Sequence, residues 1–145
     1  MAIELHGSSV VKSTPSAVYE ILRDLSTYPQ WVHIVESAVE EGSGVYDVTL
    51  RATIGPFARS KRLRMRRVLD EADAVEFVRE ELDGKRHAHW QYRASICADE
   101  MTTVVNATLV YGGALWIPGS FDRVIADQID QAGSRLDALI DAREH

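Results

Sequence analysis

The chain has 145 residues, of which 46% are hydrophobic and 26% charged, a composition typical of one globular domain spanning residues 1–145. Its net charge of −6 argues against a nucleic-acid binder and disfavours anionic membrane surfaces. The lone cysteine, Cys97, excludes an intramolecular disulfide and a cysteine-based zinc site. With no signal-like leader and no apolar run of about 18 residues, we expect a cytoplasmic protein without a membrane-spanning segment.

The N-terminal part predicts one strand and two short helices. The segment Ile3–Ser13 is rich in β-branched residues, which predicts a strand. Thr14-Pro15 then offers an N-cap and a first helical position. The apolar residues that follow at helical spacing are Val18, Ile21, Leu22 and Leu25. Ser26–Pro29 breaks this pattern, and Tyr28–Val32 predicts a second brief helical turn with an aromatic face.

From Ile34 onward the sequence predicts six consecutive strands. Val45–Ile54 alternates apolar with polar residues, so one face of that strand is expected to be buried. The strands predicted after it are Ser60–Leu69, Ala74–Leu82, Arg86–Cys97 and Met101–Tyr111. Short loops between them favour antiparallel hairpins.

The last element is a long amphipathic helix, predicted from about Pro118 to Ala142. Its apolar stripe comprises Phe121, Val124, Ile125, Ile129, Ala132, Leu136, Leu139 and Ile140. Gly133 lies inside it and predicts a close approach or a slight bend. The order of elements indicates an α+β domain in which the sheet buries one face against this helix. Unfilled space between the two predicts a ligand cavity.

Several segments resemble a known superfamily. They are Thr14–Leu22, Asp24–Trp31, Asp83-Gly84 and Trp90–Tyr92. Together with the order of elements, they resemble the helix-grip superfamily (SRPBCC type), which includes START lipid-transfer domains, polyketide cyclases and dehydrases, coenzyme Q-binding proteins and pollen allergens. Thr53–Phe57 is also similar to the branch related to carbon monoxide dehydrogenase. The resemblance implies a curved antiparallel sheet of about seven strands around a long C-terminal helix, with a pocket for a lipid, polyketide or isoprenoid or quinone-like molecule.

Charge is distributed unevenly in the middle of the chain. Six basic residues lie close together, namely Arg59, Lys61, Arg62, Arg64, Arg66 and Arg67. The segment Asp70–Asp83 then contains seven acids and only Arg79 as a base. We interpret the two segments as a hairpin whose exposed faces pair opposite charges, because the acids cancel the potential that would attract a polyanion. The alternative is a site for phosphate or RNA.

The same hairpin predicts which arginines face the core. Its inward residues are expected to be Leu63, Met65, Leu69, Val75 and Phe77. Arg67 and Arg79 share that phase, so each is predicted to face the cavity and to pair with a carboxylate such as Glu81 or with a ligand oxygen. The alternative is that both side chains extend to water at the strand ends. A shift of one residue in register would reverse the faces.

Aromatic and polar side chains complete the candidate site. Tyr46 and Tyr92 combine an apolar ring with a hydroxyl that needs a partner when buried. Asn106 is polar within an apolar strand, and its face is left open. The predicted ligand-binding residues are therefore Trp31, Tyr46, Met65, Arg67, Phe77, Arg79, Trp90, Tyr92 and Asn106. We expect no cofactor.

The pair His87 and His89 has the spacing of two metal ligands on one face of a strand. No third ligand is near in sequence, so an exposed pair without metal is predicted.

Three functional hypotheses follow from these features. The first is binding of a hydrophobic small molecule between sheet and helix. The second is a polyketide cyclase or aromatase in which Arg67, Arg79 or Tyr92 polarises a carbonyl group. The third is a protein-interaction module that docks through the apolar strand Thr102–Tyr111. Whether the chain is a monomer or a homodimer stays open.

Overall fold

A computed structural model of the chain describes residues 3–54, 56–112 and 120–144. Pro118, the predicted start of the last helix, and Gly55 lie outside these residues. The described elements are β1 (Ile3–Val11), helix α1 (Pro15–Leu22), a 3₁₀ helix (Leu25–Gln30), β2 (Val35–Gly42), β3 (Val45–Ile54), β4 (Phe57–Glu71), β5 (Ala74–Arg79), β6 (Trp90–Asp99), β7 (Thr102–Tyr111) and helix α2 (Ser120–Glu144).

The strands form a seven-stranded antiparallel sheet in the order β1-β7-β6-β5-β4-β3-β2. After β1 the chain passes through α1 and the 3₁₀ helix to the opposite edge of the sheet. It then returns strand by strand until β7 pairs with β1. The predicted run of six consecutive strands is thereby confirmed. Both edges of β7 are paired, with β1 and β6, so a partner could reach this strand only through its outer face.

The two short helices differ from the prediction in where they meet. Helix α1 begins after Thr14, whose hydroxyl accepts from the Ala17 amide, and it ends at Leu22. Leu25 belongs to the 3₁₀ helix instead, because the Asp24 carboxylate caps a new helix start by accepting from the Ser26 amide at 3.0 Å. The predicted second helical turn is therefore real but begins three residues earlier.

The loop between β5 and β6 is longer than predicted. β5 ends at Arg79 instead of Leu82, and β6 begins at Trp90 instead of Arg86. Polar side chains hold this loop together: the Asp83 carboxylate accepts from the Lys85 amide at 3.0 Å and from His87 Nε2 at 2.8 Å. These local hydrogen bonds compete with strand pairing. The apolar content of the segment, on which the predicted strand ends were based, did not indicate them.

A β-bulge interrupts β4 between Arg67 and Leu69. Beyond it, Leu69 lies opposite Glu76 and Asp70 lies opposite Val75. Val75 is buried and points to the core, so its neighbour Glu76 points to the outer face. Directly opposed residues point to the same face of a sheet. Leu69 therefore faces outward, and the prediction that it faces the core is wrong. The extra residue at the bulge reverses the phase of the strand and brings Asp70 to the inner face.

Helix α2 packs against the sheet through Leu136 and Ile140, which are both buried. At Gly133 the helix approaches β1 closely: a Cβ atom there would lie 3.4 Å from both the Ser9 Cβ and the Val10 carbonyl oxygen. The close approach predicted at this glycine is therefore confirmed. No helix in the described part of the chain is long and apolar enough to cross a membrane.

Candidate ligand-binding cavity

A cavity of about 180 Å³ lies between the inner face of the sheet, the segment around the 3₁₀ helix and helix α2. Its wall is formed mainly by hydrocarbon side chains, including Val48 and Leu50 of β3, Leu63 and Met65 of β4, and Leu136 of α2. Among the described residues, no ionised side chain lines it. Such a wall favours apolar molecules, since a charged or strongly polar group would lose its hydration without compensation.

Small residues form one side of the cavity. Gly7 of β1 lies opposite Ala107 of β7, and the neighbouring pair is Ser9 with Val105. All four line the cavity, as does Gly133 of α2. Because the side chains of Gly7, Ser9, Ala107 and Gly133 are short or absent, they leave space that larger residues would fill. Sequence reasoning missed these residues, although small residues in the inward phase of two paired strands are a signal that could have found them.

Aromatic rings form another side of the cavity. The ring of Tyr28 lies 4.6 Å from that of Trp31 and 5.7 Å from that of Tyr92, with an edge-to-face arrangement in the second pair. Phe77 stacks on Tyr92 at 6.2 Å. Five of the residues predicted to contact a ligand line the cavity, and they are Trp31, Met65, Phe77, Trp90 and Tyr92. Tyr28 also lines it, and the sequence prediction did not include it.

The tyrosine hydroxyls in the wall form a short polar chain. Tyr28 Oη lies 2.8 Å from the Leu22 carbonyl oxygen and 3.1 Å from Tyr92 Oη. A carbonyl oxygen can only accept, so Tyr28 donates to Leu22 and Tyr92 donates to Tyr28. Burial raises the pKa of Tyr28 well above its usual value and that of Tyr92 to about 12. Both phenols are therefore neutral at physiological pH.

Arg67 is in the predicted inward phase, opposite Phe77, but it does not line the cavity. Its Nη1 atom donates to the Arg23 carbonyl oxygen at 2.6 Å and to Tyr46 Oη at 3.2 Å, and its Nε lies 3.4 Å from the Asp70 carboxylate. Tyr46 is likewise buried outside the cavity wall, and burial is the main cause that raises its pKa to about 12. Arg67 and Tyr46, both predicted to contact a ligand, are instead hydrogen-bonded to each other.

Arg79 also shares the inward phase, opposite Met65, and also does not line the cavity. Its side chain is 8% exposed and lies 3.3 Å from the carboxylate of Glu81, the partner that the sequence predicts. It further donates to the Ala88 carbonyl oxygen and to His87 Nδ1, both at 3.2 Å. Arg79 thus anchors the β5–β6 loop, a role that strand periodicity could not reveal.

Asn106 is exposed and lies outside the cavity wall. It occupies the phase of β7 opposite to that of the lining residues Val105 and Ala107. The structure thus decides the face that the sequence left open, and the inward donor considered for Asn106 is corrected to an outward side chain. The alternation of β7 places every second residue on the solvent side.

Among the basic residues of β4, Arg62, Arg64 and Arg66 pair with acids, and Arg66 does so with Glu80 of the predicted hairpin. Arg66 Nη1 lies 3.3 Å from the Glu80 carboxylate, and Arg64 Nε lies 3.3 Å from that of Glu41. Arg62 binds Asp47. The acids come from the neighbouring strand β3, from β2 one strand further along the sheet, and from the segment that follows β5. This pairing disfavours binding of a polyanion to the basic run.

The two histidines predicted as an exposed pair have separate partners. His87 binds Asp83 and Arg79, whereas His89 Nε2 lies 3.2 Å from Gln91 Oε1. No group of three His, Cys, Asp or Glu side chains suited to a metal ion occurs among the described residues.

Several solved structures are similar to this chain over nearly its full length. The Zhui aromatase/cyclase from a Streptomyces species is 16% identical, with a TM-score of 0.68 and 100% and 97% of the two chains covered. A START superfamily protein from Mycobacterium smegmatis is 13% identical, with a TM-score of 0.68 and 96% and 97% covered. The major latex-like protein 151 of Panax ginseng is 15% identical, with a TM-score of 0.64 and 95% and 97% covered.

The chain has the helix-grip fold, as its sequence predicts. No protein-family model and no curated protein matches the sequence. At 13–16% identity the structural likeness shows the fold alone, since one fold serves many functions.

Proposed function

We propose that this protein binds a small hydrophobic molecule in the cavity between the sheet and helix α2. The observation that carries the proposal is the wall itself, which combines hydrocarbon and aromatic side chains with the space left by Gly7 and Ala107. A well-packed core would fill this space, because protein interiors reach the density of organic crystals. A retained apolar cavity is the usual form of a small-molecule site.

The volume limits what the cavity encloses. An apolar cavity of about 150 Å³ in another protein holds benzene, and this cavity measures about 180 Å³. We therefore propose that one ring, or a short branched chain, is enclosed. For the predicted ligand classes, the enclosed part would be one ring or one isoprenoid-like unit of a lipid, polyketide or quinone.

The ionisable groups near the cavity are poorly suited to catalysis, and this favours binding as the function. Arg67 and Arg79, proposed to polarise a carbonyl group in a cyclase, are engaged by protein oxygens elsewhere. Among the described lining residues, only Tyr28 and Tyr92 can ionise. The hydroxyl proton of Tyr92 is already donated to Tyr28, so neither residue is an efficient acid or base near neutral pH.

Substitution of Ala107 by Leu tests the proposal. The three added carbon atoms would project into the cavity, so we expect affinity for toluene, measured by isothermal titration calorimetry or NMR, to fall at least about tenfold, the equivalent of about 1.4 kcal/mol. Asn106→Leu adds an apolar side chain to the adjacent, outward position and should leave toluene binding unchanged.

Two outcomes would contradict the proposed function. One is that toluene does not bind the wild-type protein. The other is that Ala107→Leu and Asn106→Leu bind it equally well while both remain folded by circular dichroism. Native mass spectrometry of the purified wild-type protein provides an independent measurement, because a retained ligand should be lost selectively in Ala107→Leu.

A further inference from the structure

The hydrogen bonds of His87 determine where its ring carries a proton. Its Nε2 atom lies 2.8 Å from the Asp83 carboxylate, and its Nδ1 atom lies 3.2 Å from Arg79 Nη2. A carboxylate can only accept a hydrogen bond, and a guanidinium group can only donate one. His87 must therefore carry its proton on Nε2 and accept through Nδ1, and this form of the ring is neutral.

Arg79 is the more firmly held partner in this contact. Its side chain is 8% exposed, and it also binds the Glu81 carboxylate at 3.3 Å and the Ala88 carbonyl oxygen at 3.2 Å. It lies on β5 opposite Met65, which belongs to the cavity wall. His87 and Ala88 both belong to the β5–β6 loop, so Arg79 attaches two adjacent residues of this loop to the sheet.

Protonation of His87 turns one of these attachments into a repulsion. Histidine is the side chain that ordinarily changes its charge between pH 8 and pH 5, whereas arginine stays charged throughout. A proton on Nδ1 would remove the acceptor and leave two positive groups facing each other at 3.2 Å. The hydrogen bond from Nε2 to Asp83 would strengthen, because it would become an ion pair. The protonated ring is therefore drawn toward Asp83 and away from Arg79.

Charged groups on the loop, on β5 and on β4 surround this contact in the described part of the chain. They are the carboxylates of Asp83 and Glu81 and the cations Arg79, Lys85 and Lys61. The Asp83 carboxylate also accepts from the Lys85 amide at 3.0 Å, and Glu81 interacts with both Arg79 and Lys61. Each carboxylate thus already has a cation beside it, so neither compensates fully for a further charge at His87 Nδ1.

We infer that His87 is a pH-sensitive latch: it holds the β5–β6 loop to Arg79 when it is neutral and detaches from Arg79 when it is protonated. Of the two loop residues bound to Arg79, only Ala88 then remains attached. The loop leads directly into Trp90, the first residue of β6 and part of the cavity wall. The inference goes beyond the proposed function and does not depend on it, because it concerns the protein without ligand.

NMR spectroscopy at a series of pH values tests the latch. At about pH 8 the ring nitrogen shifts of His87 should show the proton on Nε2. As His87 titrates, the Nη2 protons of Arg79 should shift upfield, because they lose their acceptor. The loop is followed at the Gly112 amide, which donates to the His89 carbonyl oxygen at 2.9 Å. Between about pH 7.5 and about pH 5.5 its protection from hydrogen exchange, corrected for the intrinsic effect of pH, should fall about three- to tenfold.

Two variants separate the latch from other effects of pH. His87→Asn offers an oxygen near the position of Nδ1 but cannot gain a proton, so the pH dependence at Arg79 and Gly112 should disappear. The substitution lies at an exposed loop position, so we expect the variant to fold. His89→Asn is the matched control, because it removes the neighbouring histidine and keeps His87. It should leave the pH dependence unchanged.

Three results would overturn the inference. The first is a proton on Nδ1 of His87 at about pH 8. The second is that the signals of Arg79 and Gly112 stay constant while His87 titrates. The third is a pH dependence that persists in His87→Asn or disappears equally in His89→Asn. All these measurements use the protein without ligand, so their outcome is separate from toluene binding, which tests the proposed function.

Discussion

Tyr28 joins the first helix to the cavity through a single hydroxyl group. It is 4% exposed and lies between the Leu22 carbonyl oxygen and the Tyr92 hydroxyl. Because the carbonyl oxygen cannot donate, the direction of both hydrogen bonds follows from chemistry alone. The two tyrosines therefore have unequal roles, although both line the cavity.

Replacing each tyrosine by phenylalanine tests these unequal roles. Tyr92→Phe removes one donor and leaves Tyr28 bound to Leu22, so we expect a loss of about 1 kcal/mol in the free energy of unfolding. Tyr28→Phe deprives both the Leu22 carbonyl group and the Tyr92 hydroxyl of this partner, so a loss of about 2–3 kcal/mol is expected. Urea denaturation measures both. Equal losses, or a larger loss for Tyr92→Phe, would contradict the unequal roles of the two tyrosines.

At the scale of elements, helix α2 is attached to the end of β1 by one carboxylate. Asp137 accepts from the Lys12 amide at 3.0 Å, the Ser13 amide at 3.1 Å and the Ser13 hydroxyl at 2.7 Å. Ser13 is held from its other side, since its carbonyl oxygen accepts from the Thr103 hydroxyl at 2.6 Å. The attachment thus links α2, β1 and β7, three of the elements that enclose the cavity.

Asp137→Ala should loosen this attachment. It leaves two backbone N–H groups without their acceptor, at a cost of about 1–3 kcal/mol in the free energy of unfolding. Asp141→Ala, at an exposed position one turn later in the same helix, is the matched control and should change stability by less than about 0.5 kcal/mol. Thermal and urea denaturation compare the two. Similar stabilities would show that α2 is held by its apolar face alone.

At the scale of the whole molecule, the ionisable groups that burial affects most, among the residues that the structure describes, are tyrosines. Burial raises the pKa of Tyr46 and of Tyr92 from 10.0 to about 12. Between these two values the unfolded chain releases the phenolic protons and the folded protein retains them. The unfolded state then binds fewer protons, so the free energy of unfolding falls as pH rises. Lys61, whose pKa burial lowers, acts in the opposite sense, but among the described residues it is one group against three, because burial also raises the pKa of Tyr28.

We therefore expect the contribution of these tyrosines to be fully present below about pH 9 and to be lost as pH rises through their folded pKa. The loss should be on the order of 2–3 kcal/mol for each tyrosine. Urea denaturation at a series of pH values measures it, and the ultraviolet absorbance of tyrosinate follows ionisation directly. Stability that stays constant from pH 9 to pH 12, or a normal titration of all the tyrosines, would contradict this expectation.

The sequence by itself determined the order of the elements, the fold class and part of the cavity wall. Trp90 and Tyr92 on β6, or Met65 on β4, could be assigned to the inner face because periodicity is a local property of a strand. The close approach at Gly133 was predictable for a similar reason: a glycine inside an apolar stripe is unfavourable unless the backbone needs the space.

Only the tertiary structure decided where the long polar side chains end. Arg67 and Arg79 have the predicted phase, but their guanidinium groups lie several bonds from the backbone and bind oxygens of Arg23 and Ala88, which are distant in sequence or belong to a loop. The bulge after Arg67 reversed the phase of β4 and brought Asp70 inward. Partner choice and register depend on contacts between separate strands, and the pattern within one strand does not contain them.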